Sequence, residues 1–132
     1  MALAAAIVLA GPGEATGALA AGAIERGEVV FQKCYACHSV VPGETGLSGP
    51  NLAGVVGRAI ASVPDFAYTS ALEALPAQGY RVWTEAALDA FLSSPEDFAP
   101  GTAMTFIGLP DARERADLIA YLAATRDGLG RE

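Results

Sequence analysis

Cys34-Tyr35-Ala36-Cys37-His38 is the stretch on which the fold turns. Its C-x-x-C-H spacing is that of c-type haem attachment. The spacing has a mechanical basis. Two thioether bonds must reach the two vinyl groups of one porphyrin, and a His directly after the second Cys then falls under the iron. The chain holds 2 Cys and 1 His. A disulfide framework and a multi-His metal cluster are therefore excluded, and a zinc site would lack its fourth Cys or His ligand. A thioredoxin-like redox pair would need a βαβ setting that the sequence lacks. Any Ser-His-Asp or Cys-His catalytic scheme would have to be built on His38. Cys34 and Cys37 are thus expected to anchor one haem c, with His38 as an axial ligand.

The second iron ligand follows by elimination. No other His exists and both sulfurs are spent, which leaves Met1, Met104 and Lys33. Met1 lies in an N-terminal leader, and Lys33 adjoins the attachment site, from which the opposite face of the iron is hard to reach. Met104 sits in the Pro-Gly loop Pro100-Gly101-Thr102-Ala103-Met104 and is the expected ligand. A thioether is a soft donor that favours ferrous iron, and Met/His ligation raises the reduction potential. With both axial positions filled, a small molecule finds no open iron. The expected work is one-electron transfer rather than catalysis, so the chain is not expected to be an enzyme.

The rest of the chain agrees with a single small domain. It has 132 residues, of which 52% are hydrophobic, but 28 are Ala. The supply of bulky core side chains is modest, and a cofactor is expected to fill the middle. The net charge is -7 and the only Lys is Lys33, which leaves a nucleic-acid role without an electrostatic footprint. Residues 1–23 begin with ten apolar residues, too few to span a bilayer. With Ala18-Leu19-Ala20 behind them, they read as a signal peptide or as an Ala/Gly-rich leader or linker. The globular unit is then 24–132. Apolar spacing predicts a helix over 24–36, a short one over 70–75, one over 85–93 capped by Thr84, and a last one from Asp111 to about Arg126, ended by Gly128 and Gly130. Asp111 and Glu114 are spaced as a capping box. Residues 39–67 carry eight Gly/Pro breakers and read as one long loop, with almost no strand anywhere.

These motifs together resemble the class I cytochrome c family, the small soluble type of mitochondria and bacteria. The resemblance runs over residues 24–126 and rests on CYACH at 34–38, GPNLAGVVGR at 49–58, DFAYTSA at 65–71, Trp83, LDAFLSSP at 88–95, PGTAM at 100–104 and ARERADLIAYL at 112–122. It implies an all-α fold of short helices and long loops around one covalently attached haem. Gly27 and Phe31 on the first helix would pack on Leu118 and Tyr121 on the last. Pro50 would take a hydrogen bond from His38, and Asn51 would brace its loop. Arg58, Tyr68 and Trp83 would bind one haem propionate and Thr102 the other, while Leu52 and Leu92 would line the haem.

The chain also departs from the family's pattern. Phe91 and Leu72 replace a common Tyr and Asn, Ala103 replaces a common Lys, and the lysine-rich rim is nearly absent. The resemblance implies a periplasmic carrier, monomeric, with a membrane tether conceivable. It would move electrons from a quinol-oxidising (bc1-type) complex to a terminal oxidase or photosynthetic reaction centre. Net -7 then implies weaker steering or a less acidic partner. The competing readings are a peroxidase-like haem enzyme or gas sensor with a labile Met104, and an electron-entry domain of a larger complex.

Overall fold

The computed structural model describes residues 12–125, with side chains from residue 21 onward. Five α-helices account for its regular structure: α1 Pro12–Phe31, α2 Ser70–Glu73, α3 Glu85–Ser93, α4 Pro95–Phe98 and α5 Ala112–Ala124, with one 3₁₀ turn at Pro76–Gln78. Among the described residues the only β pairing is an isolated antiparallel bridge between Ala59 and Val82. The fold is all-α, as expected. No helix among the described residues is long and apolar enough to cross a membrane.

The helix starts follow from their caps. The Thr84 hydroxyl accepts from the Ala87 N–H at 3.0 Å and starts α3. Ser94 accepts from the Asp97 N–H and, with Pro95 in the first turn, starts α4. Asp111 accepts from the N–H groups of Arg113 and Glu114 and starts α5. The capping box is only half formed. The Glu114 carboxylate lies 3.9 Å from Lys33 Nζ, across to the end of α1.

Two expectations about α1 are corrected. The helix starts well before Ile24, and it stops at Phe31 rather than 36. Past Phe31 the bonds tighten to the i−3 pattern, with Gln32, Lys33 and Cys34 donating to the carbonyls of Val29, Val30 and Phe31. A 3₁₀-like winding of this kind commonly ends a helix. It places both cysteines on a turn instead of on a helix face. The first part of the expected leader, 1–11, lies outside the described residues, as do Gly128 and Gly130.

Packing centres on the crossing of α1 and α5. Gly27 is the point of closest approach. A Cβ there would sit 2.7 Å from the Tyr121 Cβ and against the Asp117 backbone. One turn on, the Phe31 and Tyr121 rings meet with centroids 5.5 Å apart. Asp117 is buried and takes two bonds from Arg26, at 3.0 and 3.3 Å, a bidentate pair that answers the cost of burying its charge. The α3 helix joins α5 through Leu88 and Leu92 in the common core and through Arg115 Nε, which donates to Asp89 at 2.7 Å. Arg115 falls in the apolar helical register but spends its remaining donors on the carbonyls of Leu109 and Pro110. The long loop is tied down as well. Thr125 is fully buried, donates to the Leu122 carbonyl and accepts from the Gly54 N–H at 3.2 Å.

Gly27→Val forces a branched side chain into the α1–α5 contact. Overpacking of this kind costs about 1–3 kcal/mol. Denaturant titration of the holoprotein is expected to show that loss as a lower midpoint, whereas Glu25→Ala, on the exposed side of the same helix, leaves the midpoint in place.

Candidate functional site

The site begins where α1 runs out. The turn that follows is closed by bonds from the Cys37 and His38 N–H groups to the Cys34 carbonyl, at 3.1 and 3.0 Å. Its two cysteines are unpaired thiols in different surroundings: Cys34 is half-buried against the core, and Cys37 is exposed. Burial pushes the Cys34 thiol up to about 11, the nearby Lys33 charge opposing it only weakly. The sulfur is therefore a neutral group facing apolar surroundings.

His38 is held from two sides. Its Nδ1 lies 2.8 Å from the Pro50 carbonyl. A carbonyl only accepts, so Nδ1 carries the proton and Nε2 is left with its lone pair. Burial keeps the imidazole below its usual range against the opposing pull of that carbonyl, and the Arg58 charge lowers it further. A neutral ring fixed through Nδ1 is the form in which His binds a metal. The loop that carries Pro50 is fastened by the Gly49 N–H to the Cys37 carbonyl at 2.7 Å and by the Leu52 N–H to the Ser39 carbonyl at 2.8 Å. Gly49 is a residue that sequence reasoning missed. A Cβ there would come 2.7 Å from Nδ1 and 2.8 Å from Nε2 of His38, so the ring lies flat against that glycine. The GP pair at 49–50 signalled a turn but not this contact.

Asn51 braces the loop as expected. Its amide donates to the carbonyls of Val41 and Glu44 at 2.6 and 2.9 Å, and its oxygen accepts from the Ala53 N–H at 2.8 Å. Arg58 enters from the same loop and gives one nitrogen to the Asn51 carbonyl at 2.9 Å. Its Nε is buried with no partner. Burial draws the guanidinium below its ordinary range, and nearby Tyr68 pulls the other way. Tyr68 accepts from the Val63 N–H at 3.1 Å, which leaves its own proton to give. Trp83 is buried beside this pair, its backbone N–H on the Arg58 carbonyl at 2.9 Å. Thr69, next to Tyr68, was also missed. Its hydroxyl is buried without a partner although it stands at the start of α2, where it could have capped the helix. Two orphaned donors beside a Tyr and a Trp suit an anionic group shielded from water, because such donors are costly to leave unsatisfied. A haem propionate is a group of that kind, and the residues present fit it.

The Met104 loop is pinned at both ends. The Thr102 N–H bonds the Ala99 carbonyl at 3.0 Å, and the Leu109 N–H bonds the Leu92 carbonyl at 2.8 Å. Gly108 has φ +126°, a value that favours glycine, and it presses on the Ser93 backbone. Between the pins the Thr102 hydroxyl accepts from the Met104 N–H at 3.3 Å, which frees its proton for another acceptor. Met104 is half-buried and packs on the core, as Leu52 does. Leu92 is buried in that core. Phe91 joins an aromatic cluster, 5.2 Å from Trp83 and 5.9 Å from Phe98 between ring centroids. A surface cleft of about 420 Å³ between α3, α4 and α5 shares no residue with the cysteine–histidine turn, and its Arg115 is already paired with Asp89.

Comparison with known proteins agrees with this geometry. The family model described as Cytochrome c matches residues 24–126. The chain is 42% identical over 106 residues to a protein named cytochrome c2 from Rhodomicrobium vannielii, covering 80% of this chain and 82% of that protein. It is 44% identical over 102 residues to a protein named cytochrome c-type cyt cy from Rhodobacter capsulatus, covering 76% of this chain and 48% of that longer protein. Among solved structures, cytochrome cH from Methylobacterium extorquens superposes with a TM-score of 0.66 at 35% identity, covering 75% of this chain and 95% of that one.

Gly49→Ala would drive a methyl group into the His38 ring and pull Nδ1 away from the Pro50 carbonyl. The holoprotein is expected to lose about 2 kcal/mol in denaturant titration. Its Nδ1 proton is expected to exchange faster with solvent by NMR.

Proposed function

The chain belongs to the cytochrome c family and is a c-type electron carrier, and we propose that it passes single electrons from a quinol-oxidising complex to a terminal oxidase or a photosynthetic reaction centre. The observation that carries the residue-level reading is His38: a half-buried neutral imidazole, held through Nδ1 by Pro50, directly after the only two cysteines. The family implies a covalent haem c, and the haem supplies a one-electron iron couple. Cys34 and Cys37 anchor it by thioether bonds. His38 would offer Nε2 to the iron, and Met104 its thioether. Arg58, Thr69, Tyr68 and Trp83 receive one propionate, and Thr102 receives the other. Leu52 and Leu92 keep water off the ring.

This assignment explains how the residues serve transfer rather than bond-making chemistry. Held by Cys34, Cys37, His38 and Met104, the haem would move little between oxidation states, and a small reorganisation makes electron exchange fast. With His38 and Met104 both bound to it, the iron would be closed to oxygen and peroxide. The soft Met104 sulfur favours the reduced state and sets a raised potential. Thioether attachment is made outside the cytoplasm, so we place the carrier in the periplasm. We read residues 1–23 as a signal peptide or an Ala/Gly-rich leader or linker, and 24–132 as the carrier domain.

The test is spectroscopic and potentiometric. The native holoprotein is expected to titrate as one reversible one-electron couple, to show the ferric Met–iron charge-transfer band in the near infrared, and to leave its reduced spectrum unchanged under CO. Met104→Ala is expected to abolish the band, admit CO, and lower the potential by on the order of 0.2 V, a fraction of the range that axial ligands span. An unchanged band and potential would remove Met104 from the ligand set.

A further inference from the structure

The segments that carry the proposed site residues expose apolar side chains, and the segments next to them expose carboxylates. Tyr35, between the two cysteines, is 63% exposed, and Ile107, on the Met104 loop, is 91% exposed. Leu47 is also exposed, and its segment is tied to the cysteine turn by the bond from Gly49 to Cys37. Tyr35 and Leu47 thus sit on segments joined at the cysteine turn, and Ile107 sits on the loop of Met104, the two places that would hold the haem iron. Exposed apolar side chains gathered at one place mark an interaction surface.

The charges on the neighbouring segments are nearly all negative. Glu28 stands exposed in the last turn of α1, just before the cysteine turn. Glu96 and Asp97 are exposed on α4, and the Glu96 carboxylate bonds the Gly101 N–H within the Met104 loop at 3.1 Å. Asp111 closes the same loop where α5 begins. The cations do not offset them. Lys33 is drawn to Glu114, Arg26 to Asp117 and Arg115 to Asp89. Arg58 points inward to the Asn51 carbonyl. Arg113 lies between Asp111 and Glu114 in the first turn of α5, and Arg81 lies beside Ile60 on the segment leading to Trp83.

We propose that this face docks a redox protein whose own contact surface is apolar at the centre and basic at the rim. The inference rests on the carrier reading above and specifies its partner. Charge complementarity selects the occupant. A carboxylate rim attracts a basic face over roughly a Debye length of about 8–10 Å and repels an acidic one. The apolar centre then supplies contact once the two surfaces meet.

The test uses the reduced holoprotein and two small oxidants of opposite charge. Each takes one electron and moves no proton: tris(phenanthroline)cobalt(III), cationic and apolar, becomes cobalt(II), and hexacyanoferrate(III), anionic, becomes hexacyanoferrate(II). By stopped flow, raising the salt from about 10 mM to 0.5 M is expected to slow the cobalt reaction by about tenfold and to speed the hexacyanoferrate reaction. The Glu28→Lys/Asp97→Lys variant is expected to flatten or reverse both slopes with its visible spectrum unchanged. On gold electrodes, reversible voltammetry is expected on a mixed amine- and methyl-terminated monolayer and not on a carboxylate- and methyl-terminated one. Opposite slopes, flat slopes in the unmodified protein, or a response confined to the carboxylate surface would overturn the basic partner and leave the carrier reading standing. A holoprotein that exchanges electrons with neither oxidant and neither surface would overturn both.

Discussion

One imidazole serves the whole molecule, and it has to present a bare Nε2. The bond from His38 Nδ1 to the Pro50 carbonyl meets that requirement. Around it the chain supplies no second His and no spare Cys, so the surrounding backbone is organised to keep this ring in place. Gly49 gives up its side chain to let the ring lie close, and Asn51 locks the loop with three hydrogen bonds. Burial does the electrical part by holding the ring neutral. A loop rich in Gly and Pro is conformationally expensive to order. It is ordered here because its bonds tie it to the cysteine turn, to itself through Asn51 and to α5 through Thr125.

The α1–α5 crossing sets the position of that loop. Gly27 brings the two helices into contact, and Phe31 on Tyr121 fixes their rotation. The end of α1 then delivers the cysteine turn at a defined place. The last residue described on the α5 side, Thr125, reaches back to Gly54 on the loop. Both ends of the described chain thus clamp the segment carrying Pro50. The core beneath is thin in large side chains, and its polar edges are informative. Arg58 Nε and the Thr69 hydroxyl are buried with nothing to bind among the described residues. Leaving two such groups unsatisfied is costly, and the propionate of the proposed haem would satisfy them.

Electrostatics outside and inside follow different rules. Cations are placed individually: Arg58 inward by the loop, Arg26 from the surface onto a buried Asp117, Arg115 on Asp89. Outside, carboxylates prevail, and the apolar side chains on the site's segments are left uncovered. The interior arrangement concerns a fixed group, while the exterior concerns a partner that must arrive and leave.

The sequence by itself determined which chemistry the chain can host. Five residues, Cys34 to His38, together with the absence of any other Cys or His, point to one cofactor and one histidine ligand, because attachment and ligation depend on residue type and local spacing. Helix starts at Thr84 and Asp111 were legible for the same reason, since a cap is a contact over two or three residues. Tertiary structure decided what depends on distant segments. The flat contact of Gly49 on the histidine, the close approach of Gly27 to α5 and the turning of Glu114 toward Lys33 each arise where two separated stretches meet. Residue type and spacing record what a segment can do alone. Where it meets its neighbours is set by packing, which no local pattern encodes.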